Sequence, residues 1–421
     1  MKKQQTAEYI EKHRDEIFSQ ADRLWHSPEL GFHEFKTREI IREWIRKKNY
    51  TVDKEYAYTG LSVSLGSGKP HIGIVAEMDA IPTRGHPDCD PETTAAHACG
   101  HSSQMAIAMA AFDALHQLSD LKGKVTLYFT PAEEFTDIEY RQKLQQEGKI
   151  RFLSGKQNML AENVLEDVDC LIHMHATGTP YRYSVDYQLA GFQYKKFTFI
   201  GKSAHAGVLP HEGINAVNEL SLFLTASAML RETFRDGEMM RFHGMITEGG
   251  NTVNSIPDRA EYISYVRSIH TDTLLKFSRQ LTETARHCAA AIGGECLVED
   301  IPGYLPLRQS HKLNEVLMDN IADYCDRTEI TVGVDNIAAG DVGDLSVFYP
   351  IIQYEFSGYV GPLHGPKARV TDPEEVYITQ PKIIAGTVID LLEKPELVAQ
   401  IRTEFQPAMS REDYLKHLTG E

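Results

Sequence analysis

Cys99 and His101 place a thiol and an imidazole two positions apart in His97-Ala98-Cys99-Gly100-His101, and Glu133 and Glu134 set two carboxylates side by side in Pro131-Ala132-Glu133-Glu134. Thiolate plus imidazole is a donor pair that suits Zn²⁺, with Mn²⁺, Co²⁺ and Ni²⁺ as other fits by geometry. Alone, the pair also describes a buried cysteine acting as a small hydrophobe beside a helix-capping histidine. Adjacent carboxylates raise each other's pKa and are costly to bury unpartnered. They read either as a solvated loop end or as working groups. Neighbouring side chains diverge at a strand end, so one can ligate a metal while the other holds a water. Metal-assisted hydrolysis needs that division of labour. Two further positions extend the set. His173 and His175 share one face of an apolar strand; His175, nearer the strand end, is preferred as a donor, with His173 as the alternative. His364 sits in a Gly/Pro-rich loop, 358–366, after another apolar strand, where a loop can hold a side chain at a sheet edge.

These residues are far apart in the chain, so a scaffold has to gather them. Helical periodicity runs from 5 to 48, broken at Gly31-Phe32. Short strands are expected at 51–56, 61–65 and 71–76, followed by a Pro/Asp/Thr-rich loop, 83–98. The stretch 102–118 is Ala/Met-rich and apolar nearly all round, which predicts a buried helix. A strand at 124–130 delivers the paired glutamates, a charged helix at 137–147 is expected on the surface, and a strand at 168–174 delivers His175. Strand and helix alternate with motifs at strand ends, which predicts an α/β class with ligands outside the carboxyl edge of the sheet. Near residue 190 the pattern becomes strand, helix, strand, strand, helix, strand over 192–299, the order of a ferredoxin-like split unit. From 303 the α/β pattern returns: a helix at 314–325, a strand at 351–356 and a closing helix at 380–392. The expected division is a catalytic domain in two parts, 1–189 and 303–421, carrying an inserted α+β domain at 190–302.

A chain of 421 residues is long for one core, which agrees with two domains. Sixty acidic against 43 basic residues give a formal charge of −17, which argues against nucleic acid or an anionic membrane as the main partner. Residues 1–14 are charged, with no apolar leader region, and no run approaches a membrane-spanning length. The six cysteines show no paired spacing and no CxxC, so free thiols in the cytoplasm are expected.

With these residues in view, the chain resembles the aminoacylase and carboxypeptidase family of metallopeptidases. It is most similar to the amidohydrolase branch with aminobenzoyl-glutamate hydrolases, auxin-conjugate hydrolases and N-acyl-amino-acid hydrolases. The likeness begins at His26-Ser27-Pro28-Glu29-Leu30-Gly31-Phe32 and passes through Met78-Asp79-Ala80-Ile81-Pro82 and the two motifs above. It continues at Gly201-Lys202-Ser203-Ala204-His205-Ala206, Gly249-Gly250, Asn254 and Ile256-Pro257-Asp258, and ends at Gly361-Pro362-Leu363-His364. The resemblance implies a zinc-peptidase-like catalytic domain, a mixed sheet flanked by helices, with an inserted lid and dimerisation domain. It implies two divalent metal ions (Zn²⁺ or Mn²⁺, with Co²⁺ or Ni²⁺ as alternatives), bridged by Cys99 and otherwise held by His101, Glu134, His175 and His364. Glu133 would be the general base toward a metal-bound water and Asp79 would orient a ligand histidine. His205 would polarise the substrate carbonyl, in its own or a partner subunit's site, while Asn254 and Arg267 hold a carboxylate; the guanidinium fork matches that group. The implied substrate is a small N-acyl or N-aroyl amino acid, or alternatively a short peptide cut by a carboxypeptidase or dipeptidase. The implied assembly is a homodimer through the inserted domain. One departure stands out: Ser102 follows the motif histidine where relatives carry Asp or Asn, a shorter and weaker hydrogen-bonding group beside a ligand.

Overall fold

Four of the apolar runs that end in motif residues lie side by side as parallel strands, in the order Gly123–Thr130, His71–Glu77, Cys170–Ala176, Ile351–Phe356. His71–Glu77 is buried at every position, as a strand covered on both faces must be, and this is why its sequence reads as an apolar run without alternation. Gly60–Ser67 and Val52–Tyr56 extend the sheet antiparallel on one side, and Tyr183–Val185 with Ile330–Val332 complete eight strands on the other. The computed structural model describes residues 1–177 and 181–420.

The helix His101–His116 is buried from His101 through Leu115, because its Ala and Met side chains let neighbours approach on every side. Helices Arg14–Trp25 and Gln380–Glu393 pack against it. The N-terminal helical pattern resolves into three helices, Lys2–Lys12, Arg14–Trp25 and Phe35–Lys47. Gln380–Glu393 does not close the chain: Pro395–Glu404 and Arg411–Thr419 follow it. Their polar composition hides the few apolar anchors, Val398, Ile401, Tyr414 and Leu418, that make them dock.

The chain divides into two compact units, the first built on the eight-stranded sheet. The second takes in Leu189–Leu307 with Asn336–Gly343 and the residues from Met409. Its strands run antiparallel in the order Arg241–Glu248, Arg259–Ser268, Gly191–Ile200, Glu295–Pro302. Helices Ala216–Leu230 and Thr271–Ala291 bury Leu220, Phe223, Leu274 and Leu281 with Phe197 and Phe199 of the sheet. Alternation along Arg259–Ser268 is strict, the signature of a sheet with one covered face. Among the described residues no helix is long and apolar enough to cross a membrane.

Candidate metal centre

The carboxyl ends of the parallel strands converge, and each delivers a chemical group. His71–Glu77 runs into Met78-Asp79, Gly123–Thr130 into Pro131-Ala132-Glu133-Glu134, and Cys170–Ala176 carries His175 next to its last residue. Cys99 comes from the loop that turns into the buried helix, and His101 is that helix's first residue. Gly100 makes that turn at φ 89°, and a Cβ there would lie 2.7 Å from the Ala176 Cβ. Only glycine suits a left-handed turn this close to a strand. His364 is held by its backbone, which donates to the Ala98 carbonyl at 2.9 Å, and it adopts φ 62°. A non-glycine residue in that region is uncommon and marks a constrained position.

The donors meet. The Cys99 sulfur lies 3.4 Å from His175 Nε2 and 3.0 Å from His364 Nε2, and His364 Nε2 is 3.1 Å from Glu134 Oε1. Two clusters share the sulfur: Cys99, His101 and His175 on one side, and Cys99, Glu134 and His364 on the other, each with its donor atoms within 4.8 Å of one another. Donors bound at about 2.0–2.3 Å to one cation stand about 3–4 Å apart, the spacing of the Cys99–His175, Cys99–His364 and His364–Glu134 pairs. The thiolate, imidazole and carboxylate set also suits a borderline-soft divalent metal. His101 Nε2 and Glu134 Oε1 are buried without an aligned hydrogen bond, each with an ionisable neighbour instead, Glu77 Oε2 at 3.0 Å and His364 Nε2 at 3.1 Å. The residues fit a pair of cations.

Protonation tells the same story. Burial and the Glu134 carboxylate push the Cys99 thiol up, but the imidazoles of His175 and His101 outweigh them and hold it at about 6. Burial lowers His175 and His364, yet the Cys99 sulfur, joined at His364 by Glu134, carries them to about 9 and about 11. Burial likewise raises Glu134, and His364 and His101 bring it to about 2. Anionic donors thus sit among imidazoles that retain protons, an arrangement in which arriving cations displace protons from the nitrogens.

Asp79 is wholly buried; it accepts from His101 Nδ1 at 3.1 Å and from the Glu134 backbone N–H at 2.9 Å. Since its own carbonyl also takes His101 Nδ1 at 2.9 Å, the proton is fixed on Nδ1 and Nε2 is left as the donor toward the clusters. Of the two histidines on this strand, His175 is the one beside Cys99. His173 Nε2 faces Glu77 Oε1 at 3.2 Å instead, and its Nδ1 meets Gln353. Ser102 is buried with its hydroxyl unpartnered, so in this structure it orients no donor.

Three charged groups of this region were not legible in the sequence. Glu77, the last residue of its strand, is buried beneath the site with Oε2 at 3.0 Å from His101 Nε2. Fully buried Lys156 stands 2.6 Å from its other oxygen, and Gln104 donates to Oε2 at 2.8 Å. Although burial pushes this carboxyl up, Lys156, His173 and His101 hold it well below the usual range. Arg141 is the third. The helix Ile138–Gln146 is present as expected, but it is not simply a surface helix, because Arg141 is completely buried and reaches the glutamate motif. A lone basic residue in a polar helix gives no sequence signal of that. For the Glu77–Lys156 pair the expectation is asymmetric: Lys156→Met strands a buried carboxylate and lowers stability by about 3–5 kcal/mol, whereas adding Glu77→Gln recovers a large part of it. Urea unfolding at neutral pH of both variants checks this.

Within the second unit, His205 and Asn254 are neighbours. His205 bridges to Ser255, and the Asn254 carbonyl accepts from Ala206 N at 2.9 Å. The His205 ring accepts at Nδ1 from the Gly207 and Val208 amides, both at 3.2 Å, so its proton is on Nε2, available as a donor from an exposed side chain. Arg267 lies over the Phe192 and Tyr265 rings, 5.7 and 5.5 Å from their centroids, and donates to the Ile337 carbonyl at 3.2 Å. It has no carboxylate within ion-pair distance among the described residues, and its Nε lacks a partner.

Thiolate, imidazole and carboxylate donors gathered at the carboxyl ends of the parallel strands have the chemistry of a hydrolytic metal site. Residues 73–388 match the peptidase family M20/M25/M40, and the chain belongs to that family. It is 24% identical to the human (Homo sapiens) Xaa-Arg dipeptidase, over 98% of this chain and 94% of that protein. It is 28% identical to a p-aminobenzoyl-glutamate hydrolase polypeptide of Escherichia coli, over 62% of this chain and 52% of the relative. Among solved structures it resembles an aminohydrolase from methicillin-resistant Staphylococcus aureus, with TM-score 0.77, 22% identity and coverage of 92% of this chain and 99% of that one.

Proposed function

We propose that the chain is a metal-dependent amidohydrolase that cleaves the amide bond of an N-acyl or N-aroyl amino acid, using two divalent cations. The reading is carried by the Cys99 sulfur, shared between the His101/His175 and Glu134/His364 clusters. When bound, the cations supply Lewis acidity to the attacking water and to the oxyanion that develops on the amide. Zn²⁺ or Mn²⁺ suits the donors, with Co²⁺ and Ni²⁺ as alternatives.

The chain's own residues do the rest. Glu133 stands with Oε2 3.9 Å from His101 Nε2 and is only 7% exposed. It takes the proton from the attacking water and returns it to the leaving amine, which cannot depart as an anion. Asp79 keeps His101 and the Glu134 backbone in register while this happens. His205 is assigned to donate its Nε2 proton to the substrate carbonyl, and Asn254 and Arg267 to hold the carboxylate of the amino-acid half. The absence of a carboxylate partner for Arg267 supports that role, since a half-buried guanidinium already desolvated for a ligand gains most from a bidentate anion.

A panel of acyl-amino acids and dipeptides, assayed with Zn²⁺, Mn²⁺ and Co²⁺ added separately, tests the proposal. Hydrolysis of acylated amino acids is expected, and Arg267→Ala raises KM about 10- to 100-fold for substrates with a free carboxylate while leaving amide-blocked analogues unchanged. No hydrolysis of any acyl-amino acid with any metal would refute it. A dipeptidase reading is favoured by the alignment with the Xaa-Arg dipeptidase over 98% of this chain; turnover confined to dipeptides decides for it.

The protein is further proposed to be a cytoplasmic homodimer. Its six unpaired cysteines suit a reducing compartment. On the second unit Met229, Met245 and Ile246 are more than half exposed, the latter two on the edge strand Arg241–Glu248, an apolar edge that a second copy would cover.

A further inference from the structure

Arg141 is fully buried, and the groups it touches are neutral. Its Nη1 donates to the Leu153 carbonyl at 2.7 Å and to the Ala132 carbonyl at 3.4 Å, and its Nη2 donates to the Glu134 carbonyl. The guanidinium carbon lies 5.4 Å from the centre of the Phe32 ring. No carboxylate pairs with it among the described residues. A buried cation held by carbonyl dipoles and one ring is a costly way to stabilise a fold, because an apolar side chain of similar volume would carry no desolvation penalty. Its position explains the cost. Two of the three carbonyls belong to Ala132 and Glu134, the residues immediately before and after Glu133. Ala132 itself has φ 54°, a left-handed conformation that costs energy in a residue with a Cβ and persists only where surroundings enforce it. Three groups hold it here: Glu34, whose Oε1 accepts from Ala132 N at 2.8 Å, and on the carbonyl side the guanidinium and the Gly155 amide, each at 3.4 Å. Space for that guanidinium comes from Gly31, where any Cβ would collide with Nη2.

We propose that Arg141 is a positioning residue for the base: it clamps the backbone on both sides of Glu133 and so sets where the carboxylate points. The inference rests on the assignment of Glu133 as general base. The clamp acts on kcat, because a misdirected base weakens proton transfer without altering substrate contacts, while Glu134, whose carbonyl the guanidinium also holds, keeps its second anchor at Asp79 through its backbone N–H.

Arg141→Ala tests it, with kinetics, metal content per chain and a thermal melt measured together. The expected result is a fall in kcat of about 30-fold or more, KM within about twofold, metal content equal to the wild type, and partial recovery of kcat with millimolar methylguanidinium, which refills the vacated fork. Arg141→Lys, able to reach one carbonyl but not to span two, recovers little. If the alanine variant does not fold, Arg141→Gln, which is shorter but keeps a polar head with one N–H pair, is read the same way. Unchanged kcat overturns the proposal, and so does loss of kcat, metal and melting temperature together with no rescue, which marks a purely structural arginine. Full activity of Glu133→Gln would instead show that the base assignment has failed, a different outcome from an inactive Glu133→Gln beside a fully active Arg141→Ala.

Discussion

Glu133→Gln is expected to lower kcat by about 10³-fold while the protein keeps its metal content and its fold. The substitution is nearly isosteric at a buried position, so packing changes little. An amide oxygen cannot accept a proton from water at neutral pH, and a positioned general base accounts for about 10²–10⁴ in rate. Glu133 is not among the donors grouped with the Cys99 sulfur, and glutamine keeps a side-chain oxygen beside His101, so metal content is expected to survive the substitution. Stopped-assay kinetics together with metal analysis of the same preparation check the outcome. Retained activity, or loss of metal in parallel with activity, removes Glu133 from the role of base.

The second large effect is expected at Cys99. Cys99→Ala deletes the one atom common to both clusters, with His175 and His364 as its flanking imidazoles. Removing a donor confined to one cation would weaken that cation alone. Removing a shared anionic donor weakens both. Affinity for both cations should fall by at least about 10²-fold, beyond what loss of an outer hydrogen-bond partner costs, and hydrolysis should drop to background. Equilibrium dialysis against Zn²⁺ or Mn²⁺ gives the two occupancies. Loss of a single cation would mean that the sulfur belongs to one cluster only.

How much of this could be read from the sequence depended on whether a residue's role is local. The parallel strands announce themselves as short apolar runs, and the rule that ligands gather at carboxyl edges connected Glu133, Glu134, His175 and His364 to one place although up to 231 positions separate them. The buried helix after His101 was equally plain, because an Ala/Met-rich stretch with no polar face has nowhere else to go. Glu77, Lys156 and Arg141 were opaque for the opposite reason. Each is a charged residue in an ordinary strand end or helix, and only tertiary packing removes it from water. Arg141 in particular lies in a nine-residue helix of almost wholly polar composition, for which a surface location is the natural expectation. The small strands Tyr183–Val185 and Ile330–Val332 were missed because three residues carry too little periodicity to register.

The most direct test of the central claim is anomalous diffraction from crystals grown with Mn²⁺ or Zn²⁺. Two peaks are predicted, both within coordination distance of the Cys99 sulfur, about 2.3–2.5 Å, one shared with His101 and His175 and the other with Glu134 and His364. A single peak, or peaks that do not share that sulfur, would contradict it.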